Sequence, residues 1–187
     1  MTSRFDSATA RRTPQSARTA FPVHGERTVE ASFAPVRFAQ LRDVASLQRR
    51  SFSPRLAYGY LTLLYLRLHP RSAFLVATEE NRVVGCAIGD WDGRQSRVVN
   101  ICVDPLDRRR GIGSRLLREL EEHLPAGDLV LMAQLENEAA RLLYQKEGYQ
   151  EIGVIRNYYG RGKDGVWMEK RRAGLTATTG SGTSHPV

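Results

Sequence analysis

The sequence predicts an α/β domain built on a mixed sheet, and three observations predict it. Apolar runs of strand length alternate with helical patterns in the order β-α-α-β-β-β-α-β-α-β-β. One run, "SRVVNICV" (96–103), is apolar almost throughout, as in a strand covered on both faces. Directly after it comes "DRRRGIGSRLL" (107–117), a basic turn with two glycines that leads back into leucines. That is the pattern of a strand feeding a helix across a tight turn.

Each element has its own reason. "PVRFAQ" (35–40) reads as a short first strand. Leu41, Val44 and Leu47 recur at helical spacing in a helix that opens at Arg42-Asp43 and breaks at Ser53-Pro54. "RLAYGYLTLLYLRLHP" (55–70) reads as a second helix ended by Pro70. Its tyrosines and leucines cover more than one face, so deep burial or a cleft wall is expected. "AFLVATEENRVVGCAIGDW" (73–91) is a hairpin turning through Glu79, Glu80 and Asn81. After "SRVVNICV", Gly111 to Leu124 forms a helix with Ile112, Leu116, Leu117, Leu120 and Leu124 on its core-facing stripe. "DLVLMAQL" (128–135) is the next strand. Asn137 caps a helix that runs through Lys146 and ends at a left-handed Gly148. "YQEIGVIRNY" (149–158) and "DGVWMEKR" (164–171) are two final strands around a turn carrying Gly160 and Gly162.

Bulk properties set the outer bounds. At 187 residues the chain is expected to form one domain, over 34–172, between a disordered basic arm (1–33) and a small, polar, disordered tail (173–187). The arm is rich in Arg, Ser, Thr and Ala, as a transit peptide is. Asp6, Pro14 and the lack of a repeating apolar face argue for disorder instead. A net charge of +8 favours an anionic partner: nucleic acid, an acidic protein surface or a phosphorylated cofactor. Cys86 and Cys102 lie in apolar runs and read as buried, reduced thiols. The four histidines are scattered and no metal-ligand spacing appears, so no metal is expected. There is no apolar stretch of membrane-spanning length, no secretory signal pattern and no specific nucleic-acid motif, and a cytoplasmic protein is the expectation.

The glycine turn has the design of a phosphate cradle. A helix start presents unpartnered N–H groups and a partial positive charge, and glycines let a phosphate approach them. Arg108, Arg109 and Arg110 add formal charge, and Ile112 can anchor the turn in the core. Alone, such a motif is equally a helix start beside a solvated basic loop. The surrounding order adds to it. Arg108-x-x-Gly111-x-Gly113, after a strand ending "VDP", resembles the acetyl-CoA signature (Q/R-x-x-G-x-G/A) of the GCN5-related N-acetyltransferases. "ENEAARLLYQKEGYQEIG" (136–153) resembles the family's second cofactor segment. "NICVDP", "N-x-A-A-x-x-L-Y" and "IRNYY…DG" together are similar to the branch that acetylates protein N-termini, including the ribosomal-protein alanine enzymes.

The resemblance implies a GNAT fold: a twisted, mostly antiparallel sheet whose central parallel strands splay apart, flanked by about four helices. It implies acetyl-CoA as cosubstrate, with the backbone of Ile101, Cys102 and Val103 pairing with its pantetheine arm. The pyrophosphate would rest on N–H groups from Arg109 to Ser114, and Asn137 would touch pantetheine. Tyr144, two helical turns after Asn137, would be the acid that protonates the leaving thiolate; the same residue also reads as a buried core tyrosine. Tyr158 and Tyr159 would close over the substrate, a protein or peptide N-terminus, with Tyr58, Tyr60 and Tyr65 as an opposite wall.

One position departs from the family pattern. Where related enzymes commonly carry Glu or His, this chain has Met132, which cannot take a proton. An α-amine has a pKa near 8, so about a tenth is already neutral at pH 7; for lysine, near 10.4, the fraction is below about one in a thousand. The loss is tolerable for an N-terminal substrate and a handicap for lysine. Asn100 either orders a water there or marks a strand irregularity, and Glu136 is either a base or a solvated loop residue. Three readings stand: an N-terminal acetyltransferase; an acetyltransferase for a small amine or a lysine; and a non-catalytic acyl-CoA-binding module whose basic arm docks RNA or the ribosome.

Overall fold

The computed structural model describes residues 30–93 and 95–172. Among these, seven strands form one sheet: β1 (Ser32–Pro35), β2 (Ser72–Glu79), β3 (Arg82–Trp91), β4 (Ser96–Val103), β5 (Leu129–Gln134), β6 (Gln150–Ile155) and β7 (Gly165–Lys170). Their order is β1-β2-β3-β4-β5-β7-β6. Every neighbouring pair is antiparallel except β4 and β5. The helices are α1 (Leu41–Ser51), α2 (Tyr60–Leu68), α3 (Ile112–His123) and α4 (Glu138–Lys146). The expected order of elements is therefore the observed one. None of these helices is long and apolar enough to cross a membrane.

The sheet separates two apolar layers. On one face Leu116, Leu117 and Leu120 of α3 pack with Leu75, Leu129, Leu131 and Met168 of the strands, and Tyr144 and Tyr149 extend the cluster. On the other, Leu41, Val44 and Leu47 of α1 and Leu63 of α2 pack with Phe74, Val76, Ile88 and Cys102. Burying each such leucine contributes about 1.5–3 kcal/mol against leaving it in water. Glu80 and Asn81, with φ of 47° and 67°, make the tight turn from β2 to β3.

Two local readings are corrected. The first strand is Ser32–Pro35 rather than 35–40, because Phe38–Gln40 wind into a 3-10 turn in which the Gln40 side chain accepts from the Arg37 N–H at 2.9 Å. Ser32 and Phe33, assigned to the arm, thus belong to the sheet; the rest of the arm up to residue 29, and the tail, lie outside the described residues. The second helix starts at Tyr60, after a turn in which Leu56 and Ala57 donate to Ser53. It is not deeply buried: Leu63 is its one buried residue, while Leu61, Tyr65 and Leu68 are more than 60% exposed. α2 packs on α1 and β2 along one side only.

A β-bulge in β4 redirects the second half of that strand. Ile88 pairs with Asn100 and Gly89 with Val98, which leaves Val99 as the extra residue. The insertion reverses the alternation, so Val98 faces the α3 layer whereas Cys102 faces the α1 layer. Gly89 is required there, since a Cβ would lie 2.9 Å from the Arg97 carbonyl oxygen and 2.9 Å from Leu124. Gly89→Ala is expected to lower stability by about 1–3 kcal/mol through overpacking, seen as an earlier denaturant midpoint. An unchanged midpoint would show that the strands can part at the bulge without loss.

Candidate active site

β4 and β5 pair at only three positions: Ser96↔Leu129, Arg97↔Val130 and Val98↔Leu131. Past the bulge they diverge. Ile101, Cys102 and Val103 keep their antiparallel partners on β3, and Met132 to Gln134 keep theirs on β7. The divergence opens a wedge edged by main-chain groups, a form suited to receiving an extended, amide-bearing ligand as an added strand. Ile101 and Val103 are half-buried beside the α3 layer, and the Cys102 side chain points away into the α1 layer. There it lies 3.5 Å from Cys86 Sγ, and both thiols are free. The hydrogen bond to Cys102 and burial push the Cys86 thiol well up, so it stays protonated.

The wide end of the wedge runs into the arginine–glycine turn. Arg109 and Gly111 both have positive φ, 63° and 79°. At Gly111 that backbone form, not lack of space, calls for glycine: a Cβ there would meet nothing within 4 Å. Ile112 is buried and pins the start of α3, and Ser114 is buried behind it. Gly113 lets α3 approach α4, since a Cβ would sit 3.4 Å from Leu143. The helix start thus presents its free N–H groups to the wedge end.

The three arginines divide their labour. Arg110 is bound on both sides, to Glu79 at 2.7 Å and to Asp107 at 2.8 Å, so its guanidinium serves the turn itself. Arg82 reaches Asp107 at 2.8 Å, and Arg50 holds the buried Asp104 at 2.7 Å. Arg108 donates to the Val103 carbonyl at 3.2 Å, and Arg109 is exposed.

Tyr144 lies on α4, two turns after Asn137, whose side chain caps the helix by accepting from the Ala140 N–H at 3.2 Å. Its ring packs edge-on against Tyr149 at 5.8 Å, and its hydroxyl has no hydrogen-bond partner among the described residues. Burial above all, then the neighbouring Tyr159, pushes its pKa well up, so it remains a proton donor through the physiological range. Tyr149 is bound, by contrast: its hydroxyl donates to Glu121, which also holds Lys170.

On the opposite face, residues 156–164 fold back over the head of the wedge. The Tyr159 hydroxyl donates to the Met132 carbonyl at 2.7 Å, and the Leu135 N–H donates to the Asp164 carbonyl at 3.0 Å. Burial, with Tyr158 and Tyr58, pushes Tyr159 up to about 12. Tyr158 stacks edge-on with Tyr159 at 4.9 Å and is half exposed. Tyr58 lies before α2 and close enough to Tyr158 to feel its charge. Tyr65 turns instead to His69, 5.5 Å away. Met132 lies over Gly165, and Glu136 is exposed.

One positioning residue went unread in the sequence. Gln48 of α1 is fully buried and donates to Asn100 Oδ1 at 2.7 Å, while its own oxygen accepts from the Tyr58 N–H at 3.4 Å. It ties the Tyr58 loop to the strand just past the bulge and takes up the Asn100 amide; of the two readings of Asn100, the register shift beside it supports the strand irregularity. A polar residue in the stripe of Val44 and Leu47 was its one signal. The Asp90–Arg97 pair, two bonds of 2.8 Å across β3 and β4, was likewise unread.

The ion pairs around the turn make a pH prediction. Burial alone would raise Asp104, but hydrogen bonds from Arg50 and the Leu106 N–H, with the charges of Arg50 and Arg82, hold its carboxyl below the usual range. A depressed folded pKa stabilises above the unfolded value of about 3.9, and that contribution is lost as pH falls below it. Asp104→Asn is expected to cost about 1–2 kcal/mol at pH 7, a figure reduced because both arginines are half exposed. The cost should shrink towards pH 3 in urea melts. A gap that does not change with pH would show that the charge is not what holds the turn.

Comparison with known proteins agrees with this architecture. A model described as an acetyltransferase (GNAT) domain matches residues 70–151. An uncharacterized N-acetyltransferase of Methanocaldococcus jannaschii is 30% identical over 71% of this chain and 86% of its own length. An N-alpha-acetyltransferase of Sulfurisphaera tokodaii is 30% identical over 71% of this chain and 90% of its own. The ribosomal-protein-S18-alanine N-acetyltransferase of Escherichia coli superposes with a TM-score of 0.69 at 23% identity, covering 80% of this chain and 98% of its own. With a wedge between its parallel strands, a glycine turn at the wedge end and relatives matched along nearly their whole length, the chain belongs to the GNAT family of acetyltransferases.

Proposed function

We propose that this acetyltransferase uses acetyl-CoA and acts on the α-amine of a protein or peptide. The observation that carries the reading is the wedge with a donor at its head. Main-chain groups of Ile101, Cys102 and Val103 suit the amides of a pantetheine arm, and the helix start from Arg109 to Ser114 suits its pyrophosphate. Arg108 and Arg109 remain exposed to add charge, while Arg110 supports the turn. Asn137 stands at the N-terminus of the helix that carries Tyr144.

Bound acetyl-CoA supplies an acetyl group on a thiolate leaving group. Tyr144 then acts as general acid for that sulfur: its hydroxyl is unpartnered, and its raised pKa keeps the proton in place until charge develops nearby. Its electrostatic coupling to Tyr159, which is bonded to the Met132 carbonyl, supports a position at the wedge head. Tyr158, Tyr159 and Tyr58 form the substrate side. Met132 supplies no base, and this favours an amine that is partly neutral before it arrives; an α-amine near pKa 8 is, and a lysine is not.

The decisive assay mixes the full chain with acetyl-CoA and short peptides differing in their first residue, and follows free thiol. Turnover that disappears when the α-amine is blocked is expected. Turnover only with small amines or internal lysines would overturn the reading. Tyr144→Phe is expected to lower kcat by about 10²–10⁴-fold while leaving acetyl-CoA affinity within a few-fold. A variant that keeps its rate would reduce Tyr144 to a core residue.

The pH–rate profile tests the missing base. With the amine's own ionisation in control, kcat/KM should rise with its midpoint near pH 8 and level off above about pH 9, with no falling limb from Tyr144 up to pH 10. A rise centred near 6, independent of the peptide's amine pKa, would reveal a dedicated base instead.

A further inference from the structure

The loop over the wedge head carries charge that the reaction does not use. Residues 156–164 are firmly held: the Asn157 N–H donates to Asp164 at 2.8 Å, the Gly162 N–H to Asn157 at 2.6 Å, and the Tyr159 N–H to the Lys163 carbonyl at 3.0 Å. Arg156, Arg161 and Lys163 on this loop are exposed and have no carboxylate partner among the described residues. The loop's one acid, Asp164, accepts from the Asn157 backbone N–H within the loop. Across the entrance Arg55 is also exposed and without an ion pair among the described residues, on the loop whose Tyr58 lies beside Tyr158.

The neighbouring acids offset this set only in part. Asp90 is taken up by Arg97 through two bonds of 2.8 Å, whereas Asp164 and Glu169 accept from neutral donors, the Asn157 N–H and the Trp167 indole, and have no ion pair among the described residues. Glu136 is the one exposed acid on the adjoining β5–α4 connection. Elsewhere on the domain Arg82, Arg110, Arg118 and Arg141 hold carboxylates, while Arg42, Arg49, Arg71 and Lys146 are exposed without an ion pair among the described residues but are spread over separate elements. At the entrance four cations are left to face solvent on two anchored loops that flank the tyrosines.

From this charge balance we infer that the substrate is a peptide with acidic residues directly after its N-terminal one, held by Arg161, Lys163 and Arg55. The inference rests on the N-terminal reading above and specifies its substrate class. An exposed ion pair changes affinity by up to roughly five-fold, so two made together give on the order of ten-fold. The effect should fall steeply with salt, because screening at 0.5 M reaches in to about 4–5 Å.

The test compares three peptides that share an N-terminal Ala and continue with Glu/Asp, Ser/Gly or Lys/Arg residues, at 50 and 500 mM NaCl, with the full chain. The acidic peptide should exceed the basic one by at least about ten-fold in kcat/KM, mainly through KM. The gap should collapse at 500 mM and in Arg161→Gln/Lys163→Gln. A basic peptide used equally well, or a gap that survives both changes, overturns the proposal. If no peptide is turned over, the N-terminal reading itself fails. The surface is then read by fluorescence anisotropy of labelled acidic and basic peptides: acid preference lost in the double variant supports it, and equal binding overturns it. Structured RNA bound more tightly than the acidic peptide, and released by the same double variant, would also overturn it by making the patch a nucleic-acid surface.

Discussion

The three residue pairs that join β4 to β5, and their end at Val98 and Leu131, are the constraint on which the rest of this structure depends. A parallel pair in the middle of a sheet ordinarily hides all its main-chain groups. Here the bulge at Val99 turns β4 away while β7 keeps β5 straight, and two strand edges are left open inside a folded domain. Leaving such groups dry and unpaired would cost several kcal/mol. They are stable because the wedge is open to solvent, and for the same reason a ligand with amides of its own can take the place of that solvent. The loop carrying Tyr159 reinforces the arrangement by satisfying the Met132 carbonyl where the strands part.

One hydrogen bond gives two neighbouring buried tyrosines different roles. Tyr144 and Tyr149 pack against each other and both are nearly inaccessible. Tyr149 gives its proton to a hydrogen bond with Glu121, which Lys170 also holds, and so fastens β7 and the end of α4 to α3. Tyr144 makes no such bond, so its proton is retained by burial without being committed. The arginines show the same division. Arg50, Arg82 and Arg110 neutralise buried carboxylates and set the shape of the arginine–glycine turn, whereas Arg108 reaches only the Val103 carbonyl and Arg109 is exposed. A chain with net charge +8 therefore commits part of its basicity to architecture before any partner arrives.

How much of this could be read beforehand depended on whether the signal was local. The α3 stripe, the left-handed Gly148 and the Asn137 cap are consequences of short-range backbone and side-chain rules, and they are found where the residues imply. The edges of β1 and α2 are not, because the Gln40 side chain bonding back to Arg37 and the turn at Ser53 outcompete continuation of an apolar run. Arg110 looked like a ligand arginine, and only the fold shows that Glu79, far away in sequence, closes on it. The bulge had one signal in "SRVVNICV", the polar Asn100 in an otherwise apolar run, which reads either as a strand irregularity or as a water site; the register shift falls directly beside it. Gln48 was visible as a polar residue in an apolar stripe, but its partners Asn100 and Tyr58 come from two other elements.

Met132 is where these constraints meet. It stands where the family resemblance implies a base, it lies over Gly165, and its carbonyl anchors the loop that carries Tyr159. An ionised residue at this half-buried place would need its own partner, and the nearby candidates are already engaged: Asn100 by Gln48, and Asp90 by Arg97. Methionine avoids that desolvation cost and fills the space with apolar volume. The consequence is chemical. Under the N-terminal reading proposed above, proton removal would pass to the substrate's own amine and to solvent at the open end of the wedge, so selection would act on the amine's pKa. That is a demand an N-terminus meets at neutral pH and an ordinary lysine does not.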